Sequence, residues 1–167
     1  YGVVPALPAG LNLSATTGVV TGTPTALAAA ANYVVTATNA GGSTTVPLNI
    51  TVIPGAATHF SVSGFTNPTI AGTAHNITVT ALDANNDTAV GYSGTVHFTS
   101  TDPAAMLPTD ATLTTGVGTF AVTLKTAGSQ TISVTDTVVS ALTGSQAAIN
   151  VNPGAATHFS VSGFVNP

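Results

Sequence analysis

The chain has 167 residues, only 4% of them charged, with a formal net charge of −4. Lys125 is the sole cation, Asp83, Asp87, Asp102, Asp110 and Asp136 are the only acids, and Arg, Glu, Trp and Cys are absent. One cation cannot neutralise a run of phosphates, so no nucleic-acid partner is expected, and no polybasic segment exists for anionic lipid. A chain without Cys forms neither disulfides nor thiolate metal sites.

In chain order, Leu7-Pro8-Ala9-Gly10-Leu11 leads to Gly18-Val-Val and then to Thr21-Gly22-Thr23-Pro24. Ala26 to Ala31 is the longest apolar stretch and the only one with helical propensity. It is far shorter than the roughly 20 residues that span a bilayer, so no membrane insertion is expected. Flanked by Pro24 and a strand, it reads as a loop or a single turn. Two strands follow. Asn32 to Thr38 alternates Tyr33, Val35 and Ala37 with Val34 and Thr36, and Val46 to Val52 alternates Val46, Leu48, Ile50 and Val52 with polar or Pro positions. Asn39-Ala-Gly-Gly42 is the hairpin loop between them.

Pro54-Gly-Ala-Ala-Thr-His-Phe-Ser-Val-Ser-Gly-Phe65 recurs letter for letter as Pro153 to Phe164, an offset of 99 residues, and Asn67-Pro68 recurs as Asn166-Pro167. Residues 54–152 are therefore one whole repeat unit and residues 153–167 begin the next. A unit of this size with period-two alternation and no helical period suits a seven-stranded β-sandwich. The strands are expected near Thr58 to Gly64, Ala74 to Asp83, Gly94 to Ser100, Asp110 to Thr114, Gly118 to Lys125, Gln130 to Asp136 and Gln146 to Val151. The inward sets are Phe60 and Val62; Ile77, Val79 and Ala81; Val96 and Phe98; Phe120, Val122 and Leu124; Ile132 and Val134; and Ala147, Ile149 and Val151. The outward positions are mostly Thr, which favours strands and stays polar. Asn85-Asn86-Asp87, Asp102-Pro103, Ala127-Gly128 and Thr143-Gly144 supply the turns. With no initiator Met and no signal peptide at Tyr1, the ends read as cut from a longer chain. Residues 1–53 read as an incomplete sandwich.

The order Leu7-Pro8-Ala9-Gly10-Leu11, Gly18, Thr21-Gly22-Thr23-Pro24 and Tyr33 to Asn39-Ala-Gly-Gly42 resembles the bacterial Ig domain of the He-PIG type. Residues 54–152 resemble the Ig-like repeats of large bacterial surface proteins, through Ala81-Leu-Asp83, Gly91-Tyr92-Ser-Gly94-Thr-Val-His-Phe98, Ser100-Thr-Asp102-Pro103 and Thr123-Leu-Lys125-Thr-Ala-Gly128. The resemblance implies an all-β fold of tandem immunoglobulin-like sandwiches and an extracellular, secreted or cell-surface location. It implies no activity and no cofactor.

Five candidate chemistries arise from the residues. Asp83-Ala-Asn85-Asn86-Asp87 places oxygen ligands at alternate positions, as at the start of a calcium loop. The template's Gly and Glu are replaced by Thr88 and Gly94, and a plain turn explains the same residues. His59, its copy His158, His75 and His97 could share a metal if strands brought them together, yet solvent-facing positions explain all of them, and no acid lies close in sequence to His59 or His97. Ser, His and Asp are present without a Gly-x-Ser-x-Gly elbow, so no catalytic residue is assigned and no enzyme is expected. Lys125, the one donor available for an isopeptide cross-link, reads as a solvated lysine. Asn12, Asn49, Asn76 and Asn86 begin Asn-x-Ser/Thr sequons, which arise readily in a Thr-rich chain. The expected role is a stalk, spacer or fibre body, with neighbouring Ig-like domains of the same chain or of identical subunits as partners and strand addition as a route to filaments. The rival is an adhesive or carbohydrate-binding module with a glycan or surface ligand.

Overall fold

The computed structural model describes residues 1–163. Contacts divide the chain into two compact units, Tyr1–Gly55 and a second that begins at Ala56.

The first unit contains β1 (Gly2–Val4), β2 (Leu11–Leu13), β3 (Val20–Gly22), β4 (Ala28–Asn39) and β5 (Gly42–Val52). An antiparallel sheet runs β1-β4-β5, and β2 pairs with β3 in a separate ribbon. The glycines of the Leu-Pro-Ala-Gly-Leu and Thr-Gly-Thr-Pro motifs have a mutual reason. Gly10 (φ +89) and Gly22 (φ +113) lie where the ribbon backbones approach: a Cβ on Gly22 would meet the Gly10 carbonyl, and one on Gly10 would meet the Thr23 carbonyl. In the β4–β5 hairpin, Tyr33 faces Leu48, Ala31 faces Ile50 and Val35 faces Val46. Tyr33 is buried, but Val46 on the same face remains 57% exposed, so the apolar face is covered only in part. The expected loop at Ala26 to Ala31 is corrected in its second half. β4 begins at Ala28 and pairs with Val52, with an irregularity between Ala28 and Ala31. Pairing with a complete neighbouring strand outweighs the weak helical preference of alanine.

The second unit is a two-sheet sandwich built from β6 (His59–Ser63), β7 (Thr69–Ile70), β8 (Ala74–Leu82), β9 (Thr95–Ser100), β10 (Ala111–Thr112), β11 (Val117–Thr123), β12 (Gly128–Asp136) and β13 (Thr143–Asn152). One sheet runs β11-β8-β6 and the other β10-β9-β12-β13-β7. Inward residues of both sheets meet in one core: Phe60, Val62, Ile77, Val79, Ala81, Val96, Phe98, Val122, Leu124, Ile132, Val134, Ile149 and Val151 are all buried. The alternation read from the sequence selects all of these. Two features depart from it. The short β7 crosses to the second sheet and pairs parallel with the end of β13. The expected inward Ala147 is exposed. Gln130 faces Ile149 while Ile132 faces Gln146, so β13 carries one extra residue, and Ala148 takes φ +55 there. That bulge shifts the period by one, turning Gln146 toward the interior in place of Ala147.

Residues 153–163 form no strand and are exposed throughout. The expected first strand of a next unit is therefore absent as a paired strand, and its Phe164 lies outside the described residues.

Candidate functional site

The second unit places three of its five acids out of solvent: Asp83, Asp102 and Asp136. Each is committed to holding a loop. Asp102 follows β9 and accepts hydrogen bonds from the backbone N–H groups of Lys125 (2.5 Å), Thr126 (2.9 Å) and Ala104 (2.9 Å), and from the Thr126 hydroxyl (2.6 Å). Burial alone would raise its pKa, but the donors, led by Thr126, hold it down to about 2. Asp136 closes β12. Its Oδ1 accepts from Val138 and Val139 N–H at 2.7 Å each, and its Oδ2 accepts from the Tyr92 hydroxyl. Here too burial opposes ionisation, and the Tyr92 bond and the two amides together keep the carboxyl below its usual range. Burial, followed by the hydrogen bond to Asp136 and its charge, pushes the Tyr92 phenol upward. The arrangement stabilises a carboxylate and a neutral phenol, and it ties the β8–β9 connection to the end of β12.

Asp83 ends β8. Its Oδ1 accepts from the N–H groups of Asn85 (2.9 Å) and Asp87 (3.0 Å), and its own N–H donates to the Asp87 carbonyl (2.9 Å). Asn86 sits at φ +66, which Asn tolerates in turns. The calcium candidate Asp83, Asn85 and Asp87 is thus a side-chain-closed turn whose buried carboxylate addresses its own backbone. Among the described residues, no three His, Cys, Asp or Glu side chains are grouped to hold a metal ion.

The histidines are dispersed. His59 lies on β6 and His75 on β8 in one sheet, while His97 lies on β9 in the other, so His97 is on a different sheet from the other two. The sheets separate them because the β9 side of the sandwich is reached by crossing over after β8. His97 does have a carboxylate partner: its Nδ1 lies 2.7 Å from Asp110 Oδ1, both side chains being exposed. β10 pairs Ala111 with Val96, which brings Asp110 alongside His97. His75 Nε2 lies 2.7 Å from the Thr69 hydroxyl, and its ring packs against Phe65 with centroids 4.8 Å apart. His59 and His158 each lie against the preceding threonine hydroxyl, at 3.0 and 3.2 Å.

Lys125 is exposed, and the bond to Asp102 is made by its backbone N–H. The sequon residues Asn12, Asn49, Asn76 and Asn86 are exposed as well, and Asn49 donates to Asn32 Oδ1 at 2.8 Å. Sequence reasoning did not single out Asp102, Asp136 and Tyr92 as a set. The one available signal was Asp at or just beyond the end of a strand, the pattern of a side-chain-closed turn. Gln146 was also missed: its amide donates to the Phe65 carbonyl (2.9 Å) and accepts from the Phe65 N–H (3.1 Å). This clasp secures the crossover from β6 to β7.

Residues 1–53 match the family model described as Putative Ig domain. No curated protein matches the chain in sequence. Among solved structures, a glycosyl hydrolase family 2 member from Bacteroides cellulosilyticus aligns at 14% identity and a TM-score of 0.51, over 80% of this chain and 18% of that one. The S-layer protein rSbsC aligns at 18% identity and a TM-score of 0.44, over 92% of this chain and 20% of that one. The chain thus spans about a fifth of the length of these proteins, and the likeness to the hydrolase is one of fold. With two β units, an inner-face core in the second and the family match over the first, residues 1–53 are matched to the Putative Ig domain family and the chain is an all-β protein of Ig-like architecture.

Proposed function

We propose that the chain is a structural segment, a stalk, spacer or fibre body, of a bacterial extracellular or cell-surface protein built from tandem Ig-like repeats. The recurrence of residues 54–65 at an offset of 99 carries this reading, because the first copy is built into a sandwich as its edge strand. The family match, the charge-poor surface and the commitment of all three buried carboxylates to loop anchoring support it further. No catalytic role is assigned. Assembly into filaments by strand addition between identical subunits is the finer form of the proposal. Chains carrying one, two and three copies of residues 54–152 behind residues 1–53 test the spacer role by small-angle scattering. The maximum dimension should grow by a constant increment of roughly 30–40 Å per copy, the length of a nine- or ten-residue strand with its loops. Growth as a compact globule would refute it.

A second reading, an adhesive or carbohydrate-binding module, draws on one cleft in the first unit. About 540 Å³ is lined by Tyr1, Ala37, Thr38, Asn39 and Gly41 to Thr44, with the half-exposed Tyr1 ring at its side. An aromatic beside hydroxyls and an amide is the chemistry of a sugar platform. Specific binding on a glycan array that disappears in Tyr1→Ala would favour this reading over the spacer.

A further inference from the structure

The sequence contains one Asp–Pro peptide bond, Asp102–Pro103. An Asp–Pro bond breaks in acid more readily than other peptide bonds, for two chemical reasons. The aspartyl carboxyl can add to its own main-chain carbonyl carbon, because the ring that closes is a five-membered anhydride. The proline nitrogen is a tertiary amide nitrogen without an N–H, and it accepts a proton more readily than a secondary amide nitrogen does. As the carboxyl oxygen bonds to the carbonyl carbon, the C–N bond breaks and the carboxyl proton passes to the departing nitrogen. Water then opens the anhydride. The products are one chain that ends at Asp102 and one that begins with the free amine of Pro103, and water is the only other reactant.

The loop after β9 sets up one half of this chemistry. The Asp102 carbonyl oxygen accepts the Ala105 N–H at 3.1 Å, which closes a β-turn with Pro103 at its second position. That donor lies where negative charge develops on the carbonyl oxygen when the carbon is attacked. The attacking carboxyl is on the same residue, so no separate group has to be brought up to the bond.

The other half is withheld. Asp102 Oδ1 accepts from the Ala104 N–H at 2.9 Å and from the Thr126 hydroxyl at 2.6 Å, and Oδ2 accepts from the N–H groups of Lys125 at 2.5 Å and Thr126 at 2.9 Å. The residue is buried, and each carboxylate oxygen is engaged by two donors. These bonds favour the ionised form, which has no proton to give to the proline nitrogen. The donors are three amides and a hydroxyl, none of which titrates in acid. Lys125, the one cation, contributes its N–H while its side chain is exposed. Among the described residues, no histidine or second acid bonds to this carboxylate. The restraint therefore depends on one titrating group, the Asp102 carboxyl itself.

We propose that Asp102–Pro103 is a latent self-cleavage site, prepared by the turn to Ala105 and kept closed by the donors of Ala104, Lys125 and Thr126. Its trigger is any condition that draws the β11–β12 loop off the carboxylate while supplying a proton, acid above all. A cut here falls between β9 and β10. β8 still pairs with β11, β9 with β12 and β7 with β13 across it, so the unit is nicked without losing strand pairing. The proposal goes beyond the spacer role and does not depend on it.

Mass spectrometry of the full chain in acid tests this. In concentrated urea at about pH 3.5, just below the ordinary carboxyl pKa, the wild type should break into residues 1–102 and 103–167. Pro103→Ala and Asp102→Glu should stay whole there, since the first lacks the leaving nitrogen and the second would have to close a six-membered ring. Without urea at the same pH the wild type should stay whole, because its carboxylate is still ionised and bonded. Thr126→Val removes the hydroxyl donor and keeps the amide. It should be cut at least about tenfold faster than the native wild type, because cleavage follows the population in which the carboxyl is released. Ile77→Val and Ile77→Ala loosen the buried core without touching Asp102 or its donors. Together with the wild type they define how native-state cleavage depends on urea midpoint, and Thr126→Val should lie well above that line. A Thr126→Val rate on the line would overturn the inference, as would a native wild type cut as fast as the urea-unfolded chain, or Pro103→Ala cut at the same bond and rate as the wild type.

Discussion

Asp102 and Thr126 are joined twice: the Thr126 N–H donates to Oδ2 at 2.9 Å and its hydroxyl donates to Oδ1 at 2.6 Å. Because Asp102 also accepts the Lys125 N–H, the N–H of the chain's one tryptic bond and the N–H of the peptide before it are both held by a single buried carboxylate. A protease must draw the scissile segment out of its loop, so cleavage requires local opening. The native chain should resist trypsin, yielding only residues 1–125 and 126–167 when it is cut at all. Asp102→Ala should be cut at least tenfold faster, which corresponds to about 1.4 kcal/mol of lost local stability. Fragment appearance timed by mass spectrometry checks this, and equal rates would show that the carboxylate does not guard the bond.

The same carboxylate and Asp136 set the acid response. Both folded-state pKa values lie below the ordinary carboxylate value, Asp102 at about 2. A depressed folded pKa means that the ionised form stabilises the native state above the unfolded pKa, about 3.9. That contribution is lost as pH falls through the folded pKa. The melting temperature should therefore be flat from pH 7 to about 5 and should fall between about 4 and 2. Thermal melts of wild type, Asp102→Asn and Asp136→Asn decide the matter: each variant should be less stable near neutrality and show a shallower acid slope. Unchanged slopes in both variants would place the acid sensitivity elsewhere.

Much of the second unit was legible because each of its sheets has one solvated face. Thr78 and Thr80 beside Ile77, Val79 and Ala81 reveal the inward side directly. The bulge at Ala148 was not legible, because Ala147-Ala148 carries no glycine or other mark of a positive φ, and a strict period of two then sends Ala147 inward. Asp102 was read as a turn residue, Asp136 as the end of a strand, and Asp83 as a strand end that could open a calcium loop, none of them as an anchor for a distant loop. Their donors lie far along the chain, Lys125 for Asp102 and Tyr92 for Asp136, and no local pattern encodes a loop that is closed by tertiary structure. Asp110 was closer to reach: pairing the expected third and fourth strands sets it beside His97.

Core substitutions should rank by burial. Phe98 and Phe120 pack edge to face at 4.8 Å between centroids, yet only Phe98 is buried. Phe98→Ala should cost about 3–5 kcal/mol through cavity formation. Phe120 is partly exposed, so Phe120→Ala should cost less than its partner, which corrects the full cavity penalty that alternation alone suggests for it. Urea unfolding of the two variants measures the difference, and a larger loss for Phe120→Ala would contradict the ordering.

Divalent ions should be dispensable at Asp83. Its Oδ1 is already occupied by two amide donors, and those bonds close the loop without a cation. A chelator should leave the melting temperature within about 2 °C, whereas removal of a structural ion worth a few kcal/mol would move it by about 10 °C or more in a unit of this size. A shift of the larger kind would reinstate Asp83, Asn85 and Asp87 as ligands.

Thr115-Gly116 offers a route to greater stability. The two residues take φ +49 and +79 between Thr114 and Val117, which exchange both backbone hydrogen bonds at 3.0 Å. This is the geometry of a two-residue type I′ hairpin, whose preferred sequence is Asn-Gly. A β-branched residue is poorly suited to a positive φ, since its second γ atom crowds the backbone. Thr115 is exposed, and its hydroxyl makes only a local bond to the Thr114 carbonyl at 2.8 Å. Asn at this position keeps a polar, solvated side chain and tolerates the left-handed conformation. Thr115→Asn should therefore stabilise the chain by about 0.5–1 kcal/mol, read as a higher denaturant midpoint with an unchanged slope. Thr115→Val, which keeps the branching and removes the hydroxyl, should destabilise it. If both variants melt alike, conformational strain at this turn contributes nothing to the stability of the unit.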